Sequence, residues 1–221
     1  NISCMVFVSF ITLFIIYITM WNKIADDATI MKTVKALEAN QFLVTVVNNA
    51  IEAKKEIETL IPAGSQVMQM SSETLDNTGI SDMINSDNFD AIKPKLWAKG
   101  ENALSPQEKA IAANLAKYSV GSLQAITGNG ELVIASNTGS QMAAYVYGSE
   151  KVIFVVGAQK LVKDIDAAMK GIYGHVLPLE SERVKKAYGM EKSNVSKLLI
   201  INKETQPERI HIVIVKESLG F

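Results

Sequence analysis

Residues 42–75 read FLVTVVNNAIEAKKEIETLIPAGSQVMQMSSETL, and this stretch decides the fold class. Residues 42–47 are a short run rich in β-branched side chains, which is typical of a strand. Asn49 is a suitable N-cap for a helix over residues 50–60, and residues 66–70 predict a second strand. The order strand, helix, strand predicts an α/β domain with a mostly parallel sheet flanked by helices.

The flanking segments extend this pattern in both directions. Residues 23–40 have apolar side chains at helical spacing, so they predict a helix before the first strand. Residues 76–100 are polar and irregular, and we expect a loop with short helices there. Ser105 begins the sequence SPQE, which has the residues of a capping box with proline at the first helical position. We expect that helix to run to about Tyr118.

The second half of the chain contains the remaining strands and helices. Residues 151–156 read KVIFVV, an almost wholly apolar run that fits a strand buried on both faces. Strands are also predicted within 119–136, at 197–201 and at 210–215, and helices after Ser140, at 163–173 and at 178–188. We expect residues 23–221 to form one domain.

Composition excludes several classes of protein. The chain has 221 residues, with 22 basic and 23 acidic side chains. This near-neutral balance argues against nucleic-acid binding, which normally requires a basic surface. Cys4 is the single cysteine of the sequence. One cysteine cannot supply an internal disulfide, a multi-cysteine zinc site or a four-cysteine iron–sulfur cluster, and we predict no metal site in this chain.

Residues 1–22 form an apolar N-terminal segment without a single charge. As a helix, residues 2–21 would be long enough to span the apolar core of a bilayer, and one interpretation is a signal anchor. The other is translation from upstream of the true start at Met20, and we favour it. We accordingly expect a cytoplasmic protein, or a membrane-anchored one if residues 2–21 are genuine.

Three turns at predicted strand ends carry residues suited to binding an anion. Ligands of open α/β sheets bind at the carboxyl ends of strands, and hydroxyl-rich turns that open helices offer donors to phosphate or carboxylate. Each residue alone also has a simpler interpretation, as a helix cap or a solvated lysine. Together the turns predict a common anion pocket. Its candidate residues are Ser71, Ser72, Thr74, Thr138, Gly139, Ser140 and Lys160.

Other polar residues give weaker signals. His175 and His211 are far apart in the sequence, so neither indicates a metal site. Arg183 could bind an anion, although an ion-pair network on its helix surface is the interpretation we favour. Glu73 and Glu131 are the carboxylates nearest to the predicted turns. Nothing in the sequence pairs them for acid–base chemistry, and the catalytic residues stay unknown at this point.

Several long stretches resemble the LUD-domain proteins, which are known as lactate utilisation proteins. The resemblance covers residues 24–221 and is specific, because long runs match in order. It implies the α/β fold shared by ribose-5-phosphate isomerase, glucosamine-6-phosphate deaminase and CoA transferases. The matching stretches are LIPAGSQVMQMSSETLDNTG at 60–79, residues 119–172 with SNTGSQMAAYVYG and KVIFVVGAQKLV, VLPLESERVKKAYG at 176–189, and VKESLGF at 215–221.

The resemblance also implies a function. In that superfamily, turns rich in hydroxyl groups and glycine hold phosphate, CoA or sugar, which adds Thr127 and Gly128 to the candidate residues. Characterised LUD proteins belong to a complex that oxidises L-lactate to pyruvate with iron–sulfur subunits. This chain lacks the cysteine motifs, so the resemblance implies a cluster-free subunit or accessory protein, with any iron–sulfur cluster in a partner LUD protein.

The alternative is a stand-alone isomerase, transferase or hydrolase, or a binding module, for a phosphorylated sugar or a CoA ester. Under either interpretation the expected ligand is a small anion, namely a hydroxy acid, a sugar phosphate or a CoA ester. The sequence leaves open whether the chain forms a homo-oligomer.

Overall fold

The computed structural model describes residues 21–100 and 103–221 and contains two β-sheets. The first sheet has six strands in the order β1-β10-β7-β4-β2-β3, and every neighbouring pair is parallel. This confirms the predicted α/β class. Its strands are β1 (Leu43–Val47), β2 (Gln66–Gln69), β3 (Asp90–Ala91), β4 (Tyr118–Gly121), β7 (Lys151–Gly157) and β10 (Ile210–Val215).

The central strand β7 is buried on both faces, as its apolar sequence predicted. Side chains alternate between the faces of a strand. Val152, Phe154 and Val156 therefore pack into one hydrophobic core, whereas Ile153 and Val155 pack into a second. The sheet thus separates two apolar layers.

Helices cover one face of this sheet. Ala53 and Ile57 pack against it from the helix that Asn49 caps, where the Asn49 side chain accepts a hydrogen bond from the Glu52 N–H. Leu75 and Ile80 come from two short helices. The helices before β4 are α1 (Asp27–Ala39), α2 (Ala50–Leu60), α3 (Glu73–Asn77), α4 (Ile80–Ile84), α5 (Ile92–Leu96) and α6 (Pro106–Asn114).

The second sheet lies over the other face, and the sequence did not predict it as a separate sheet. It has the order β8-β5-β6-β9, with β6 antiparallel to both of its neighbours. Leu132 and Ile134 of β6 join α1 in the core beneath it. Its strands are β5 (Ala125–Thr127), β6 (Leu132–Ser136), β8 (Leu161–Val162) and β9 (Lys197–Ile201).

Two helix boundaries differ from the prediction. The helix that Ser105 caps ends at Asn114, because Tyr118 already begins the buried strand β4. The two helices predicted at 163–173 and 178–188 are joined into one. A wide π-helical turn at Ile172–Val176 connects α7 (Ile165–Gly171) to α8 (Leu177–Tyr188). A similar π-helical turn at Ala144–Gly148 stands where a helix was predicted after Ser140.

Residues 1–20 lie outside the described residues, so the choice between a signal anchor and upstream translation stays a prediction. Within the described parts of the chain, no helix combines the length and the apolar character that crossing a membrane requires.

Candidate functional site

A cavity of about 450 Å³ lies between the two sheets. The ends of β2, β4 and β7 supply one wall, β6 supplies another, and the helical segment that includes α8 supplies a third. This position agrees with the rule that open α/β sheets bind ligands beyond the carboxyl ends of their strands.

The cavity brings together most of the residues that the sequence singled out. The first turn follows β2 and the lysine follows β7, so both belong to the parallel sheet. Thr138 and Ser140 follow β6 and therefore reach the cavity from the second sheet. We had expected all of these turns at the strand ends of one parallel sheet. The predicted residues that line the cavity are Ser71, Ser72, Thr74, Thr138, Ser140 and Lys160.

Thr127, Gly128 and Gly139 are not among the lining residues. The Thr127 hydroxyl accepts hydrogen bonds from the N–H groups of Asn129 and Glu131, so it closes the turn between β5 and β6. The Gly128 N–H donates to the Lys163 carbonyl at 3.2 Å. These two residues thus have local structural roles in the turn.

Gly139 also has a local role. It adopts φ +78°, a conformation that favours glycine, and a Cβ at this position would overlap the side chain of Lys197. Its N–H donates to the Ser136 hydroxyl at 2.9 Å. Gly139 therefore shapes the turn that carries Thr138 and Ser140 to the cavity.

Lys160 is the main electrostatic feature of the cavity. Its side chain reaches the cavity wall although the residue is only 5% exposed. Nζ donates to Thr74 Oγ1 at 3.0 Å and to Ser122 Oγ at 3.4 Å. No salt bridge joins it to a carboxylate of residues 21–100 or 103–221. Because burial disfavours the charged form, the pKa of Lys160 is lowered to about 7.

The segment after β10 holds the partners of Lys160 in place. Thr74 Oγ1 accepts from Lys160 and donates to the Leu219 carbonyl at 3.1 Å. The Gln159 side chain donates to the same carbonyl at 3.0 Å and to the Gly220 carbonyl at 3.2 Å. The Thr74 hydroxyl therefore forms hydrogen bonds with both Lys160 and the Leu219 carbonyl, and these bonds fix its orientation toward the amine.

Ser72 does not act as the side-chain cap that its position suggested. It is the N-cap residue of α3, yet its side chain makes no capping hydrogen bond. Ser71 and Ser72 both line the cavity. Their hydroxyls are consequently available to a ligand at the end of β2.

Arg183 and Glu180 form the predicted ion pair, and the structure places the pair on the cavity wall. The Arg183 guanidinium donates to Glu180 through Nε at 2.7 Å and through Nη2 at 2.8 Å. These hydrogen bonds raise the pKa of Arg183. Glu73 Oε1 lies 3.9 Å from Arg183 Nε, and Glu73 lines the same cavity. Two carboxylates thus neutralise this arginine, whereas the amine of Lys160 has only hydroxyl partners within hydrogen-bond distance in the described chain.

Ser122 and Tyr145 are among the cavity residues that sequence reasoning missed. Ser122 follows β4 directly, and the end of a buried strand was the signal that could have identified it. Tyr145 is 1% exposed, and its hydroxyl lies over the backbone of Gly121. Burial raises the pKa of Tyr145, so its hydroxyl stays a neutral hydrogen-bond donor.

The histidines have separate surroundings. His175 stacks on Trp21 with 6.4 Å between ring centroids and lines a smaller cavity of about 30 Å³ beside Lys160. His211 Nε2 lies 2.8 Å from Thr45 Oγ1. Among the described residues, no three His, Cys, Asp or Glu side chains cluster in a way that could hold a metal ion.

Comparison with known proteins identifies the family. No curated protein sequence matches the chain. A crystal structure of a DUF162 family protein from Deinococcus radiodurans is similar, with a TM-score of 0.55 and 12% identity, and the match covers 87% of this chain and 99% of that one. At this identity the match shows the fold. The family model of the LUD domain matches residues 30–215, most of the sequence, and the chain therefore belongs to the LUD-domain family.

Proposed function

We propose that this LUD-domain protein is a cluster-free subunit or accessory protein in the oxidation of L-lactate, or of a related organic acid, to pyruvate. Its part is to bind the hydroxy acid in the cavity between the two sheets. The observation that carries this proposal is Lys160, a buried residue that lines the cavity and whose amine donates to the hydroxyl groups of Thr74 and Ser122. A carboxylate is the partner that a buried ammonium group lacks here.

The hydroxyl groups around Lys160 support the same kind of ligand. Ser71, Ser72 and Ser122 line the same cavity as the amine and offer donors to a carboxylate or acceptors to a C2 hydroxyl. Arg183 is already paired with Glu180, so we assign the anion to Lys160. Since a bound carboxylate favours the ammonium form, binding raises the pKa of Lys160 and the protein takes up a proton.

Isothermal titration calorimetry with L-lactate tests the proposal. We expect Lys160→Met to weaken binding by at least about tenfold, because it removes the charge but keeps an unbranched apolar side chain. Lys163→Met is the matched control, since the Lys163 side chain is 91% exposed on a nearby turn. Affinity should fall by about tenfold per pH unit above pH 7, as the free amine loses its proton. Equal affinity of the wild type and Lys160→Met would refute the proposal.

Electrons from lactate oxidation must leave through another chain under this proposal. The sequence has one cysteine, so an iron–sulfur cluster would belong to a partner LUD protein. Co-purification with an iron–sulfur protein and loss of growth on L-lactate after gene deletion are the expected results. We propose the cytoplasm as the location, since a chain that cannot form an internal disulfide suits a reducing compartment.

The size of the cavity favours a second candidate function. At about 450 Å³ it falls in the range of sites for ligands much larger than a three-carbon acid. The second candidate is a stand-alone isomerase, transferase, hydrolase or binding module for a phosphorylated sugar or a CoA ester. Ribose 5-phosphate and acetyl-CoA are therefore further ligands for the same titration, and tighter binding of either one than of L-lactate would favour this candidate.

A further inference from the structure

Ser122, Lys160 and Thr74 have the arrangement of a nucleophile, a base and a group that orients the base. Ser122 Oγ lies 3.4 Å from Lys160 Nζ, and the same Nζ lies 3.0 Å from Thr74 Oγ1. A nucleophile in reach of a base that a third group orients is the general pattern of covalent catalysis, and serine–lysine versions of it exist. A distance of 3.4 Å without substrate is compatible with this role, because such contacts tighten when substrate binds.

The three residues differ in how free their hydroxyl groups are. Thr74 is 1% exposed, and its proton is committed to the Leu219 carbonyl, so it cannot attack a ligand. Ser122 is half-buried and lines the cavity. Its other contact is a long hydrogen bond of 3.5 Å to the Leu123 carbonyl. Ser122 is therefore the hydroxyl that can give its proton to Lys160 and meet a substrate.

The surroundings of Lys160 favour the neutral amine that a base requires. The other charged or titratable side chains that line its two cavities are Glu73, Glu180, Arg183, His175, Tyr145 and Tyr188. Arg183 forms salt bridges with both glutamates, and neither glutamate forms one with Lys160. Burial thus dominates, and a pKa of about 7 leaves much of the amine deprotonated at neutral pH.

We propose that Ser122 and Lys160 form a catalytic dyad for acyl transfer, with Ser122 as nucleophile, Lys160 as general base and Thr74 as the residue that positions Lys160. The substrate class is a short acyl thioester or ester. We assign a 2-hydroxyacyl group as the acyl group, and this assignment rests on the proposed function. Hydrolysis of such a substrate would release the hydroxy acid that the cavity is proposed to bind. The dyad itself rests on the contacts around Ser122.

The reaction has two balanced steps. Ser122 Oγ gives its proton to Lys160 Nζ and bonds to the acyl carbon, the carbon–sulfur bond breaks, and Nζ returns the proton to the leaving thiolate. Water then attacks the acyl ester and gives its proton to Nζ, the bond from the acyl carbon to Oγ breaks, and Oγ takes the proton back. The net reaction converts a thioester and water into a carboxylic acid and a thiol. The released carboxylate is an anion of the kind that protonated Lys160 would hold.

An alkyl fluorophosphonate, which labels activated serines, tests the dyad in the full chain. Mass spectrometry should find one adduct, on Ser122, and none in Ser122→Ala. We expect Lys160→Met to slow labelling by about a hundredfold or more, the usual contribution of a general base. Ser86→Ala and Lys163→Met are controls, since both side chains are exposed and neither residue lines the cavity. No adduct on Ser122, or equal labelling of Lys160→Met, would overturn the proposal.

Two further measurements keep the test decisive if Lys160→Met fails to fold. Labelling of the wild type should increase with pH through about pH 7, opposite to the binding of lactate, and a flat profile would contradict a base at Lys160. The N-acetylcysteamine thioester of L-lactate should release thiol with the wild type and not with Ser122→Ala, and equal release by both would contradict the nucleophile. Calorimetry with L-lactate, on the wild type and on Ser122→Ala, distinguishes the two proposals. If L-lactate binds but the wild type shows no acyl transfer, the proposed function stands and the dyad is refuted.

Discussion

Lys160 Nζ lies 3.0 Å from Thr74 Oγ1, and this contact joins the segment after β7 to the first turn of α3 at the cavity wall. The threonine hydroxyl uses its lone pair for the amine and its proton for the Leu219 carbonyl. One hydroxyl therefore couples the buried lysine, the turn after β2 and the segment after β10.

Thr74→Val should destabilise the protein, because it removes one of the two hydrogen bonds made by the Leu219 carbonyl and one of the two made by the Lys160 amine. We expect a loss of about 1–3 kcal/mol in the free energy of unfolding, since each lost hydrogen bond contributes about 0.5–1.5 kcal/mol. Urea denaturation measures it. Thr74→Ser keeps the hydroxyl and is the matched control. If the two variants were equally stable, the hydroxyl would not hold this network.

The low pKa of Lys160 predicts that stability increases with pH. The folded protein binds the lysine proton only below about pH 7, whereas the unfolded chain keeps it to about pH 10. Between these values the unfolded state binds up to about one more proton, so the free energy of unfolding increases with pH, and the cost of the buried charge is fully present below pH 7. Urea denaturation from pH 7 to 10 measures the trend.

Lys160→Met isolates this effect, since every other titrating group is common to both proteins. The wild type should gain stability relative to Lys160→Met as the pH increases from 7 to 10. A difference between the two proteins that stays constant over this range would show that Lys160 keeps its ordinary pKa in the folded state.

The sequence was sufficient for much of the cavity wall and for the elements of the parallel sheet except β3, which lies where a loop with short helices was predicted. Strand and helix signals along residues 42–75 are local, and the N-cap at Asn49 and the apolar run of β7 are where they were expected. Lys160 was predicted because it follows a buried strand, and strand ends are where α/β sheets bind ligands.

The rest depends on contacts between distant parts of the chain. β10 pairs with β1 and β7, and the second sheet forms only when β9 adds to β6. No local pattern encodes these pairings. The burial that lowers the pKa of Lys160, and the place of Arg183 on the cavity wall, follow from that packing. Thr127 and Gly128 have the same local signals as the lining residues but lie in a turn outside the cavity.

Gly121→Ala should strain the cavity wall. A Cβ at this position would overlap the Tyr145 hydroxyl, and Tyr145 is too deeply buried to move freely. We expect a loss of about 1–3 kcal/mol, which is typical of overpacked cores. Removing the hydroxyl with Tyr145→Phe should reduce the cost of Gly121→Ala. A double-mutant cycle by urea denaturation measures this coupling, and additive effects of the two substitutions would exclude the clash.

Arg209 and Glu204 form a buried ion pair that the sequence did not single out. Arg209 Nη1 lies 2.7 Å from Glu204 Oε2, with side chains 2% and 8% exposed. Nη2 of Arg209 also donates to the carbonyls of Ala144 and Tyr145, so the arginine supports the backbone of a residue that lines the cavity. Arg209→Met leaves a buried carboxylate without its cation and should cost about 3–5 kcal/mol.

The exposed pair of Lys216 and Asp27 is the control for this prediction. Its side chains are 35% and 78% exposed, and Lys216→Met should cost less than about 1 kcal/mol, because water screens such a pair. Replacing Arg209 and Glu204 together should recover part of the loss, since no unpaired charge then remains in the core. Urea denaturation of the wild type and the three variants gives the comparison. If the double variant were no more stable than Arg209→Met, the loss would come from the missing hydrogen bonds to the Ala144 and Tyr145 carbonyls and not from the unpaired carboxylate, and the arginine would act mainly as a support for the cavity wall.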